Sequence, residues 1–120
     1  GAGMALPEGV EAFTPARFAA LRAQGEPVFV DMTAAWCMTC LVNERLVLDT
    51  QATRTLFARR GVHVLRGDWT RHDPAITAFL SAHGRDGVPL YVYAPAHGAE
   101  TVLPQVLTPG ILARALDGAP

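Results

Sequence analysis

The sequence predicts an α/β domain of three layers, α/β/α, with helices on both faces of a central mixed β-sheet. Three observations lead there. Short β-branched and aromatic runs alternate with stretches of helical period. Two strand-like runs follow one another late in the chain, which breaks the alternation and mixes the sheet. Three helix starts, at Thr14-Pro15, Asp73-Pro74 and Thr108-Pro109, pair a capping side chain with proline in the first turn. At 120 residues the chain has room for one such core, and a composition 50% hydrophobic and 18% charged is that of a globular domain.

Residues 1–13 contain Gly and Pro and read as an irregular lead-in, with Gly1-Ala2-Gly3 taken as a cloning scar, so the domain is expected over 14–120. The first helix follows Thr14 and stops at Gly25, with Phe18, Leu21 and Arg22 giving it two unlike faces. Pro27 to Met32 is a short apolar run and predicts a buried strand. After Trp36 the period changes: Cys37, Cys40, Leu41, Glu44 and Leu48 recur at three and four, which is helical spacing. A break near Asp49-Thr50 separates this from a second helical stretch ending at Gly61. Val62 to Leu65 begins the next strand, and Ala75, Ile76, Phe79 and Leu80 mark the apolar face of a helix that runs to Gly84. Val88 to Tyr93 predicts a strand with a proline near its start. Thr101 to Leu107 predicts a weaker one, placed at the sheet edge because Pro104 cannot donate to a ladder. Ile111, Leu112 and Leu116 share one face of the last helix.

Charge and composition exclude several function classes. A net charge of −1 leaves no basic footprint for nucleic acid. All ten cationic side chains are Arg, so no lysine Schiff base can form. No apolar run approaches the ~20 residues that span a bilayer, because the longest, Pro27 to Met38, is interrupted by Asp31 and Thr33. No basic segment followed by an apolar one opens the sequence as a signal peptide does.

Two cysteines are too few for a disulfide scaffold, and their spacing points to chemistry. In Cys37-Met38-Thr39-Cys40, a strand leads into a helix start. The first sulfur then faces free backbone N–H groups and the positive end of the helix dipole, which favours thiolate. The second lies one turn deeper and can attack a mixed disulfide from inside. A zinc site needs a second ligand pair. His63, His72, His83 and His97, at intervals of nine to fourteen, supply none, so no metal ligand is assigned. Asp31, six residues before Cys37 and inside an apolar strand, is costly to bury unless paired or functional. Its bland alternative is a strand-end carboxylate that reaches solvent. Glu44 shares a helix face with both cysteines, and its bland alternative is a solvated side chain pairing with Arg45. Trp69, Tyr91 and Tyr93 read as core, and the histidines as surface or helix-end residues.

The segment Phe29 to Cys40 resembles the active-site segment of thioredoxin-fold proteins, and Val88-Pro89 looks like that fold's cis-proline loop. Thr33 to Cys37 with Asn43-Glu44, Asp68-Trp69-Thr70-Arg71, and Gly84 to Tyr91 are together similar to the C-terminal periplasmic domain of DsbD-type thiol:disulfide interchange proteins. Within that group they look most like the ScsB branch, linked to suppression of copper sensitivity. The resemblance covers roughly residues 14–118. It departs at Leu41, where a Lys commonly follows the second cysteine. It implies a dithiol reductase with no cofactor beyond the Cys37–Cys40 pair. Cys37 is then the nucleophile, Cys40 the resolving thiol, Asp31 a proton relay and Glu44 a second carboxylate beside the site. Trp36, Val88 and Pro89 then meet the partner, Val88 through its backbone. The implied electron donor is a membrane-embedded redox domain of the same longer protein, and the acceptors are disulfide-containing periplasmic proteins. The chain is then a monomeric periplasmic domain of an inner-membrane protein. Two alternatives stay open. A disulfide oxidant or isomerase is disfavoured because Met38-Thr39 lacks a thiolate-stabilising His. A thioredoxin-fold copper module has soft thiolates but only Met38 beside them.

Overall fold

The computed structural model describes residues 5–118; Gly1-Ala2-Gly3 lies outside the described residues. Five strands form one sheet: β1 (Val10–Ala12), β2 (Val28–Thr33), β3 (His63–Asp68), β4 (Leu90–Ala94) and β5 (Thr101–Val102). Their order is β1-β3-β2-β4-β5. β1, β3 and β2 are parallel, whereas β4 and β5 run antiparallel to their neighbours. The helices are α1 (Pro15–Ala23), α2 (Met38–Asn43), α3 (Gln51–Arg60), α4 (Pro74–Ala82) and α5 (Pro109–Asp117). The expected three-layer mixed-sheet architecture is the one observed.

Alternation along β2 builds the layers. Val28, Val30 and Met32 enter a core shared with Leu21 of α1 and Ile76 and Leu80 of α4. Phe29 enters the opposite core, with Phe57 of α3, Tyr91 of β4 and Leu112 of α5. With both faces covered, all six β2 residues are buried. The next two positions on the Phe29 face are Asp31 and Thr33, so the strand's own period carries a carboxylate and a hydroxyl inward. The expected caps form: the Thr14, Asp73 and Thr108 side chains accept from the N–H groups of Arg17, Ala75 and Ile111. Thr50 caps α3, and Gly61 ends it in the left-handed region at φ +64°.

Three details differ from the sequence reading. Val10–Ala12, assigned to an irregular lead-in, pairs in parallel with Val64–Arg66, so the sheet begins inside that segment. Three edge residues carry too little alternation to be read as a strand. β5 is only two residues long; the Leu103 N–H still donates to the Tyr91 carbonyl at 3.0 Å, and Pro104 follows it. Beyond Asn43 the dithiol helix continues in π geometry over Glu44–Leu48, a change of winding that side-chain spacing does not reveal.

Candidate active site

β2 ends at Thr33, and Cys37 caps the N-terminus of α2, its Sγ accepting from the Cys40 N–H at 3.2 Å. The two cysteines form a disulfide with Cα atoms 5.2 Å apart. They are not equivalent, for Cys37 keeps 8% of its surface exposed and Cys40 none. The Val88–Pro89 peptide is cis. The Val88 carbonyl lies 3.9 Å from Cys37 Sγ, and Val88 packs with Ala34 and both cysteines.

The loop after β3 splints this edge. Trp36 is 53% exposed, and its indole N–H donates to the Thr70 carbonyl at 3.1 Å. Its ring leans on Trp69 and His72. The Ala35 N–H donates to Thr70 Oγ1 at 2.9 Å, and Asp68 accepts from the Thr70 N–H and hydroxyl. Met38, Leu41, Val42 and Leu46 extend an exposed apolar surface along the same helix.

A charged cluster lies inside. Asp31 is 1% exposed and Arg66, its register partner on β3, 5%. Arg66 Nε donates to Asp31 Oδ2 at 2.7 Å and Nη2 to Asp49 Oδ1 at 2.7 Å, while Nη1 lies 3.7 Å from Glu44 Oε1. Glu44 is buried and accepts from the Thr33 hydroxyl at 2.6 Å; it turns inward, away from the solvated pairing with Arg45. Burial pushes the Asp31 carboxyl up to about 6, helped by the negative charges of Glu44 and Asp49 and opposed by Arg66. Burial also pushes the Tyr91 phenol above its ordinary range, followed by the charge of Asp31. At the junction of α2 with the π segment, Asn43 Nδ2 donates to the Tyr91 hydroxyl at 2.9 Å and the Gln105 carbonyl at 2.7 Å. Its Oδ1 accepts from the Leu107 N–H.

The structure brings Cys37, Cys40 and Val88, the residue before cis-Pro89, into one cluster with Trp36 adjoining it, and it joins Asp31 and Glu44 separately through Arg66. Sequence reasoning missed Arg66, Asp49 and Asn43. Arg66 carried the same signal as Asp31, a charge inside a strand, but its partner depends on strand register. Among the described residues no group of three or more His, Cys, Asp or Glu side chains could hold a metal ion. None of the described helices is long and apolar enough to cross a membrane.

A strand feeding a Cys-X-X-Cys helix cap, closed by a cis-proline loop, is the layout of a thioredoxin-fold disulfide-exchange site. The profile of the family described as thioredoxin-like matches residues 10–96, and the chain belongs to that family. It is similar to the thiol:disulfide interchange protein DsbD 1 of Pseudomonas aeruginosa, at 36% identity over 86 residues, or 71% of this chain. The match spans only 14% of that relative's length. Among solved structures, the oxidised C-terminal domain of Neisseria meningitidis DsbD superposes with a TM-score of 0.72 at 20% identity, covering 92% of this chain and 99% of that one. Chloroplastic thioredoxin z superposes with a TM-score of 0.71 at 19% identity, covering 95% of this chain and 96% of that one. These superpositions establish the fold.

Proposed function

We propose that this domain is a thiol–disulfide oxidoreductase working as a dithiol reductase. The observation that carries the reading is the asymmetry of the cysteine pair: Cys37 caps the N-terminus of α2 with 8% of its surface exposed, and Cys40 is fully buried. The Cys37 thiolate attacks one sulfur of a partner disulfide, forming a mixed disulfide and expelling the other sulfur as thiolate. Asp31, poised near neutrality, takes the proton from the Cys40 thiol. The Cys40 thiolate then attacks Cys37 Sγ, closes the Cys37–Cys40 disulfide and releases the reduced partner. Two electrons leave the dithiol in each cycle.

The N–H and C=O of Val88 offer an extended partner segment a strand-like docking edge beside Cys37. Trp36 and Met38 offer it apolar surface. The similarity to DsbD supports a periplasmic setting, re-reduction by a membrane-embedded redox domain of the same longer protein, and periplasmic disulfide proteins as acceptors. The ScsB branch, with its link to copper sensitivity, is proposed on sequence resemblance alone. The domain is taken to act as a monomer over residues 14–120, with β1 added to its sheet.

Limiting alkylation of the reduced protein, followed by peptide mass mapping, tests the assignment. Cys37 is expected to react first, and faster labelling of Cys40 contradicts the mechanism.

A further inference from the structure

We propose that Asp49, acting through Arg66, sets how readily Asp31 takes up a proton. This rests on the reading above for its consequence, that Asp49 tunes the pH at which Cys40 resolves a mixed disulfide. The geometry of one guanidinium carries the proposal. Arg66 has a single positive charge on a rigid fork, and three carboxylates share it. Asp49 takes both terminal nitrogens, Nη2 at 2.7 Å and Nη1 at 3.4 Å, whereas Asp31 holds only Nε. Asp31 Oδ1, sealed from solvent, meets no hydrogen-bond donor among the described residues.

Asp49 closes the π segment and keeps 30% of its side chain exposed, so it reaches furthest into solvent of the three acids. When Asp31 becomes neutral, Arg66 remains anchored by Asp49 and faces Glu44, and the guanidinium does not lose its place. Asp49 therefore acts in two ways. It occupies the two terminal nitrogens of Arg66, leaving Asp31 only Nε, and it adds a negative charge nearby. Both make the protonated form of Asp31 easier to reach. The other groups around Asp31 are Glu44 from the π segment and Tyr91 from β4. Arg54 and Arg59 of α3, and Glu8 ahead of β1, share with Asp31 and Arg66 the wall of a cavity of about 590 Å³. Of these, Arg54 also touches Asp49, its Nη1 donating to the Asp49 backbone carbonyl at 3.1 Å, a contact that a side-chain substitution at Asp49 leaves in place.

The test uses aspartate labelled with 13C at the side-chain carboxyl, in the disulfide form, to follow Asp31 directly. In parallel, the reduced protein reacts with 5,5′-dithiobis(2-nitrobenzoate), where the second thionitrobenzoate released reports attack by Cys40. In Asp49→Asn the Asp31 midpoint is expected to fall by roughly half to one pH unit, with the acid limb of the second release moving alongside. Asp49→Glu, which keeps the charge, is expected to restore the wild-type midpoint; a purely structural role would not separate Asn from Glu in this way. A midpoint unmoved in Asp49→Asn, or the same fall in Asp49→Glu, overturns the proposal. A midpoint that falls while the second release keeps its acid limb upholds the coupling and overturns the assignment of the Cys40 proton to Asp31.

Discussion

The two sides of the dithiol helix are built from opposite materials. Outside, Cys37, Trp36, Met38 and Leu41 meet solvent with no charged group among them, held by a few bonds from the loop after β3. Inside, Asp31, Glu44 and Arg66 are buried, and Asp49 joins them from the rim with 30% of its side chain exposed. The contrast separates two tasks. In the proposed mechanism the outer side presents a nucleophile and a surface for the partner, while the inner side takes the proton that resolution releases. Charges inside cost folding energy, and pairing on Arg66 offsets part of that cost.

Substitutions on the two sides should therefore fail differently. The largest effect is at the outer nucleophile: Cys37→Ser is expected to abolish disulfide exchange, while Cys40→Ala retains attack and accumulates a one-to-one mixed disulfide visible by mass spectrometry. Next comes the inner cation. Arg66→Leu leaves three carboxylates without their shared partner and is expected to cost about 3–5 kcal/mol in urea unfolding.

Asp31→Asn should act in the opposite direction on stability. A carboxyl whose folded pKa is raised from 3.8 to about 6 stabilises the fold below pH 4, and that contribution is lost as pH rises through 6. The variant is thus expected to be more stable than wild type at pH 7, by about 2–3 kcal/mol, with the gain vanishing near pH 4. It should also slow resolution by Cys40, so that stability and function part company at one residue. Smaller still, Glu44→Gln is expected to lower the Cys37 pKa by removing a nearby anion, read by thiolate absorbance. The smallest effect is at the rim. Trp36→Ala should raise KM for a protein disulfide roughly fivefold and leave a small disulfide such as oxidised glutathione unaffected.

The outer side was legible in the sequence because it is local. Cys37 and Cys40 lie within one helical turn, and Trp36 adjoins them. The caps at Thr14, Asp73 and Thr108 were legible for the same reason. The inner side is made of residues 13 to 35 positions from Asp31, Glu44 at one end and Arg66 at the other. Their meeting depends on β2 and β3 pairing with Asp31 opposite Arg66, which no single stretch encodes. Asp31 and Glu44 could be singled out as candidates, but the cation between them could not. β1 escaped notice for a related reason: its identity comes from pairing with β3, more than from its own three residues.

The central claim is that the Cys37–Cys40 pair donates electrons. Equilibrating the domain with reduced and oxidised glutathione, and quantifying its disulfide fraction after acid quenching, measures the potential directly. The reductase reading expects a value well below that of a strong oxidant of the DsbA kind, which lies at about −120 mV. A value near that figure would contradict it and make the domain a disulfide donor.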